Sequence, residues 1–340
     1  STCAPLDELA HTREPLARIP WSRQGATLAR IGLMSRQVLV NAAAAARMAP
    51  SSHNTQPWRF RIVGDTLELH ADPRRHLSVI DGERRQLVES GGCALFNARA
   101  AVRAMGFADE VEVFPDAEDR DHLATLRVGA PIITDELDRE LLRAIPLRRT
   151  NRRPFLNRPV SLADSTALIA LASRPGVWFG RLDPDQKRRL GRVIDDADRT
   201  HHANPVYRAE LMHWLVEPGK RRKDGIPLEE RAYRLPLPLE KELVRAAPLV
   251  MVIGTAGDSP HDWLAAGESL QALLLHATLR HLAAAFLNQA LEIPPLRREV
   301  MSIIGRGEHP QMVLRLGYPE QPIEHPAPRR SLEDVLLVVD

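Results

Sequence analysis

The sequence is poor in the residues that mark the specialised classes of protein. Aromatic residues make up 4% of its 340 positions, and there are two cysteines, Cys3 and Cys93. That count excludes a disulfide framework and a cysteine metal cluster. No apolar run reaches the roughly 18 residues a membrane-spanning helix needs. The chain does not open on a basic patch followed by an apolar stretch, so no secretory leader is expected and the expected location is cytoplasmic. Charge of one sign is also lacking. With 46 basic and 44 acidic residues the formal net charge is +2, which gives no electrostatic reason to expect nucleic acid as a partner. Neither a Gly-x-Gly-x-x-Gly dinucleotide fingerprint nor a Walker phosphate loop occurs. The histidines His201, His202 and His213 are not spaced to converge on one ion, and no metal is expected.

What is present is a long chain punctuated by 27 prolines. An arm over residues 1–23 precedes a helix over 24–47, in which Leu28, Ile31, Met34, Val38 and Ala42 recur at helical spacing. Pro50 and the pair Ser51-Ser52 break it. A hairpin follows, with strands over 58–63 and 66–70 around Gly64-Asp65. The pattern predicts a second helix over 84–105, strands over 110–114 and 123–128, and a short helix over 135–144. Beyond Pro146, helices are expected over 162–173, 184–200 and 206–217. A buried strand is expected over 249–253, one or two helices over 261–289, and a strand over 311–316. Residues 218–240 are polar, basic and proline-rich, a candidate lid.

Two stretches resemble each other. Glu89-Ser90-Gly91-Gly92-Cys93 opens one helix and Ala266-Gly267-Glu268-Ser269 lies in another, and each helix is followed by a strand. A repeat of that length would make the chain a fused pair, with a first half over 24–145 and a second over 146–340.

The sharpest local sequence is Ala49-Pro50-Ser51-Ser52-His53-Asn54-Thr55-Gln56-Pro57-Trp58, placed between an alanine-rich helix and a strand. It resembles the flavin-binding segment of the nitroreductase family. The length and the Pro328-Arg329-Arg330 tail further resemble the Acg subgroup, which has two fused nitroreductase-like halves. The resemblance implies an α+β fold, an α/β/α sandwich with mostly antiparallel central sheets, folded as an intrachain pseudo-dimer around FMN. It also implies an FMN-dependent oxidoreductase using NADH or NADPH to reduce nitroaromatics, quinones or related electrophiles by ping-pong hydride transfer at flavin N5. The alternative is a lidded protein that stores or sequesters FMN with little turnover. Self-association is left open.

Residue types fit this reading. A doubly charged phosphate suits the planar donor forks of arginine, and Arg148, Arg149 and Arg152 form a basic run found only in the second half. Arg329 or Arg330 adds the tail's contribution, with Arg330 preferred. Asn54 and Gln56 carry both donors and acceptors for a ring edge. Ser51 and Ser52 can meet ribityl or phosphate oxygens. Gly267 would let backbone approach the ring, with Glu268 orienting it. Pro50 to Trp58 occurs only in the first half; at the matching place of the second stands Ala172 to Trp178, without the amides. One FMN per chain is therefore expected, and no catalytic side chain is assigned.

Overall fold

A computed structural model describes residues 24–217, 219–228, 239–321 and 327–339. The expected N-terminal arm lies outside the described residues, as do positions 218 and 229–238 of the candidate lid. Among the described residues no helix is long and apolar enough to cross a membrane.

Helix α1 spans Gln24–Ala46 and buries Val38, Leu39, Ala42, Ala43 and Ala46. Its alanines present almost no side chain, so α2 (Arg85–Ala104) packs closely on it, and Asn97 donates to the Ala45 carbonyl at 3.1 Å. Strands β1 (Trp58–Val63) and β2 (Thr66–Ala71) form the expected hairpin, turning through Gly64 at φ 58°. Trp58, Phe60, Ile62, Leu67 and Leu69 alternate inward, while Arg59, Arg61, Glu68 and His70 take the other face. Strands β3 (Phe107–Val113) and β4 (His122–Pro131) complete the first half, and α3 (Glu136–Ala144) follows.

In the second half, α4 (Leu162–Ala172) leads to β5 (Val177–Arg181). Next come α5 (Pro184–Ala203), α6 (Pro205–Trp214) and two short paired strands, β6 (Leu215–Val216) and β7 (Ile226–Pro227). Helix α7 (Leu239–Ala246), strand β8 (Leu249–Thr255), helix α8 (Pro260–Leu279) and strand β9 (Ala283–Phe286) follow. Helix α9 (Pro294–Ile304), strand β10 (His309–Gly317) and strand β11 (Leu336–Val339) close the chain. Strand β8 is buried on both faces. Leu249, Met251 and Ile253 join the core shared with α2 and α8, whereas Val250 and Val252 join a second core under α5, α7 and α9.

The two sheets share one plan. The first has order β11-β1-β2-β4-β3 and the second β5-β8-β10-β9. Matching β1, β2, β3 and β4 to β5, β8, β9 and β10 gives the same order, and every one of these neighbours is antiparallel. The helices α2 and α8 have the same length and cross in the middle. A Cβ on Gly92 would overlap the Leu264 carbonyl, and one on Gly267 would overlap the Glu89 carbonyl. One shift in numbering carries Gly92 onto Gly267 and Glu89 onto Leu264, so the contact is its own mirror about a local two-fold relation.

Several expectations are corrected. Ala283–Phe286 is a strand and not the end of a helix, because its edge pairing with β10 overrides the helical propensity of alanine. Helix α6 ends at Trp214, and residues 239–240 of the candidate lid begin α7. The tail crosses the expected boundary at 146, since β11 pairs in parallel with β1 of the first sheet.

Gly267→Ala is expected to cost about 1–3 kcal/mol of stability, because neither backbone can give way. At Gly191 of α5 an added methyl meets Lys241 at ordinary contact distances, and Gly191→Ala should be neutral or stabilising by roughly 0.5–1 kcal/mol. Denaturant unfolding of the two variants checks the difference.

Candidate functional site

The segment joining α1 to β1 is held in unusual backbone conformations. His53, Asn54 and Gln56 have φ of 52°, 54° and 49°. For His53 and Gln56 this left-handed geometry costs on the order of 1 kcal/mol each, and such outliers gather at functional sites. Buried hydrogen bonds hold them there. The fully buried Gln56 side chain donates to the Lys223 carbonyl at 2.8 Å and accepts from the Arg330 amide at 2.8 Å. The Asn54 amide donates to the Gly225 and Pro328 carbonyls, each at 3.1 Å, and its oxygen accepts from Arg329 at 3.1 Å. Ser51 Oγ accepts from the Gln56 amide at 2.9 Å, and Ser52 donates to Gln86.

This segment forms one wall of a cavity between the halves. Ser51, Ser52, His53 and Asn54 face Arg148, Arg149 and Arg152 across it. Ser90 and Cys93 of α2 contribute to its lining, as does Arg329 of the tail. Tyr207 and Ile226 line it from the insertion between β5 and β8.

The cavity is strongly cationic. Arg148 is buried; among the described residues its Nε has no hydrogen-bond partner, and its guanidinium donates to Thr150 Oγ1 at 3.5 Å. Burial pushes its pKa down to about 10, and the neighbouring Arg149 and Arg152 add to the shift. Burial lowers Arg329 to about 9, helped by Arg148, Arg149 and Arg47. Arg149 is lowered by burial as well. Among the described residues none of Arg148, Arg149 and Arg329 is paired with a carboxylate, and Glu292 is the single carboxylate among the lining residues. Unpaired buried cations are costly unless an anion joins them. Arg315 braces the basic run from β10, donating to the carbonyls of Arg153 at 3.0 Å and Asn151 at 3.2 Å.

The structure therefore brings together Ser51, Ser52, Asn54, Arg148, Arg149, Arg152 and Arg329. It does not bring Gln56, Arg330, Gly267 or Glu268 to the cavity wall. Gln56 is sealed behind Asn54. Arg330 turns away to the carbonyls of Gln56 and Trp58, both at 3.4 Å, and to that of Asp334 at 2.6 Å. Gly267 serves the helix crossing, where its carbonyl accepts from Cys93 Sγ at 3.2 Å. Glu268 pairs with Arg99 at 2.8 Å on the opposite side of that crossing. Sequence reasoning missed the stretch Phe286 to Gln289 and the α2 residues Gln86 and Ser90, all of which line the cavity. Reading 261–289 as helical hid the first, and the cavity-facing spacing of Gln86, Ser90 and Cys93 on α2 was a usable signal for the second.

The shift that carries Gly92 onto Gly267 also carries Cys93 onto Glu268 and Asp109 onto Ala284. Around Cys93 the cavity is open. At the shifted positions, Arg99 joins Glu268 at 2.8 Å and Asp109 at 2.6 Å.

The sequence model of the nitroreductase family matches residues 33–104. A Mycobacterium tuberculosis H37Rv protein, Rv3131, provisionally named an NAD(P)H nitroreductase, is 34% identical over 308 residues, covering 85% of this chain and 88% of that protein. The chain belongs to the nitroreductase family. Within that family it is similar to the M. tuberculosis protein acg, under the same provisional name, at 28% identity over 323 residues, covering 90% of this chain and 97% of acg. Among solved structures, an iodotyrosine deiodinase bound to FMN and 3-iodo-L-tyrosine aligns with a TM-score of 0.43 at 21% identity, covering 56% of this nitroreductase-family chain and 95% of its own.

Inorganic phosphate should protect the ligand-free chain against thermal unfolding more than chloride at equal ionic strength. The gain is about 2.7 kcal/mol at a hundredfold excess over Kd. Arg148→Met should abolish the difference; protection that persists in this variant would place the anion elsewhere.

Proposed function

We propose that the chain is an FMN-dependent oxidoreductase with one flavin site, built across two fused nitroreductase-like halves. The observation that carries this reading is the buried Arg148 beside the half-buried Arg149 and Arg329, all without carboxylate partners among the described residues and lining one cavity with Ser51 to Asn54. Arg148 and Arg329 hold the phosphate of FMN, with Arg149 and Arg152 beside them. Ser51 and Ser52 offer hydroxyls to the ribityl chain or phosphate. The stretch Phe286 to Gln289 supplies backbone to the ring in place of Gly267. Gln56 and Asn54 act as positioning residues, fixing the tail and Arg329.

FMN, when bound, takes hydride from a reduced nicotinamide and passes two electrons to an acceptor. The protein's share is to orient reactants and exclude water. The names of the mycobacterial relatives favour NADH or NADPH as donor and a nitroaromatic, quinone or similar electrophile as acceptor. The equal strand order of the two sheets supports the fusion, and the Arg99–Asp109–Glu268 cluster supports a single flavin per chain.

The purified chain should carry one FMN, whose absorbance bleaches anaerobically with NADH or NADPH and returns on adding a nitroaromatic. Retained flavin that neither cofactor bleaches would sink the oxidoreductase reading and leave storage. Arg148→Ala should weaken FMN binding by about 1.5–3 kcal/mol, or roughly 10- to 150-fold. Unchanged affinity by fluorescence titration would remove Arg148 from the phosphate site.

A further inference from the structure

The outer face of the first sheet carries a second cluster of chemically capable side chains, on the face turned away from α2. Glu68 and His70 alternate outward along β2. Strand β4 meets them in antiparallel register, Glu68 opposite Thr125 and His70 opposite His122. A register shift between these pairs matters. It takes up Leu123, so that Leu123 and Ala124 are both buried while His122 comes out beside His70.

We propose that Glu68, His70 and His122 form a binding site for a divalent transition-metal cation of the zinc class. One ligand atom from each lies within 4.8 Å of the others. Both imidazoles turn Nε2 toward the same cross-strand pair: His70 Nε2 is 3.0 Å from Glu68 Oε2, and His122 Nε2 is 2.9 Å from Thr125 Oγ1. The rings stack at 4.3 Å with an interplanar angle of 24°. Zinc bound at about 2.0–2.2 Å to each ligand sets neighbouring ligands roughly 3.4 Å apart, so a small tilt of the rings toward each other closes the site. Water takes the fourth position.

The donor set selects the ion. Two imidazoles and one carboxylate suit zinc and its neighbours, whereas magnesium and calcium prefer all-oxygen sites. Asp119 stands beside His70. Its carboxylate lies 3.8 Å from His70 Nδ1, too far for a direct hydrogen bond but close enough to add negative charge beside the site. Arg61 opposes the ion, at 3.3 Å from Glu68 Oε2, but its side chain is 44% exposed and can swing into solvent. The side chains of His70 and Glu68 are only 12% and 18% exposed, so the ion would be partly shielded from water and would staple β2 to β4.

Zinc titrated calorimetrically into the full chain as purified, after dialysis against a chelator, should bind at one equivalent and raise the unfolding temperature. His122→Ala and Glu68→Gln should lose both effects while keeping the wild-type far-UV circular dichroism. Asp119→Asn, which removes a nearby negative charge, should bind zinc more weakly than the wild type. Absence of saturable zinc binding, binding that survives in the folded His122→Ala and Glu68→Gln chains, or equal binding of calcium would overturn the proposal. None of these residues lines the flavin cavity, so flavin content reports independently on the functional reading.

Discussion

Backbone meets backbone where α2 crosses α8, and the rest of the molecule depends on that contact. Each helix packs on its own sheet, antiparallel apart from the edge strand β11 of the first. Glycine at 92 and at 267 lets the two helices approach until carbonyl oxygens fill the space a Cβ would need. Because the approach is repeated about a two-fold relation, the two glycines fix both the separation and the angle of the halves. The cavity takes lining from both halves, so the distance between its serines and its arginines depends on this crossing, which Cys93 joins to the cavity.

The two ends of the α2–α8 crossing differ in charge. On one side of the crossing, Arg99 meets the carboxylates of Asp109 and Glu268, and each partner offsets the other's loss of water. That cluster is satisfied without a ligand. Across the axis, Cys93 and Ala284 stand where those acids would be. Arg148 and Arg149 come from another part of the chain, and among the described residues neither is paired with a carboxylate. The same packing frame thus yields a neutralised corner and a cationic one.

What the sequence disclosed was contiguous. Pro50 to Trp58 and Arg148 to Arg152 could be read because each brings its chemistry within a few residues. The echo between α2 and α8 was visible for the same reason. What stayed hidden depends on direction. An amide that faces a ligand and one that faces a carbonyl are spelled alike, so Gln56 gave no sign that its side chain would be sealed inside. Arg329 and Arg330 are adjacent, and only the path of the tail decides which enters the cavity. Gly267 has the signature of a close approach, but the group approaching is Glu89. Ala283–Phe286 looks helical by composition, and its pairing with β10 can be known only from the fold. The outer-face histidines escaped notice because a register shift, not spacing along the chain, brings them together.

The arrangement of Arg329 explains how a cation can be both half-buried and available. Its guanidinium donates to the carbonyls of Met48, Ala49 and Pro328 and to Asn54 Oδ1, at 3.0–3.1 Å. Carbonyl dipoles offset part of the lost hydration and fix the direction of the fork, but they leave the charge whole. A carboxylate in the same place would hold the side chain equally well and cancel the charge an incoming anion needs. Fixing without neutralising is what electrostatic preorganisation requires. It gives the strained turn at His53 to Gln56 a physical purpose: that backbone delivers Asn54 to Arg329, and Asn54 in turn ties the arginine to Gly225 of the second half's insertion. The amides of the motif serve the cation.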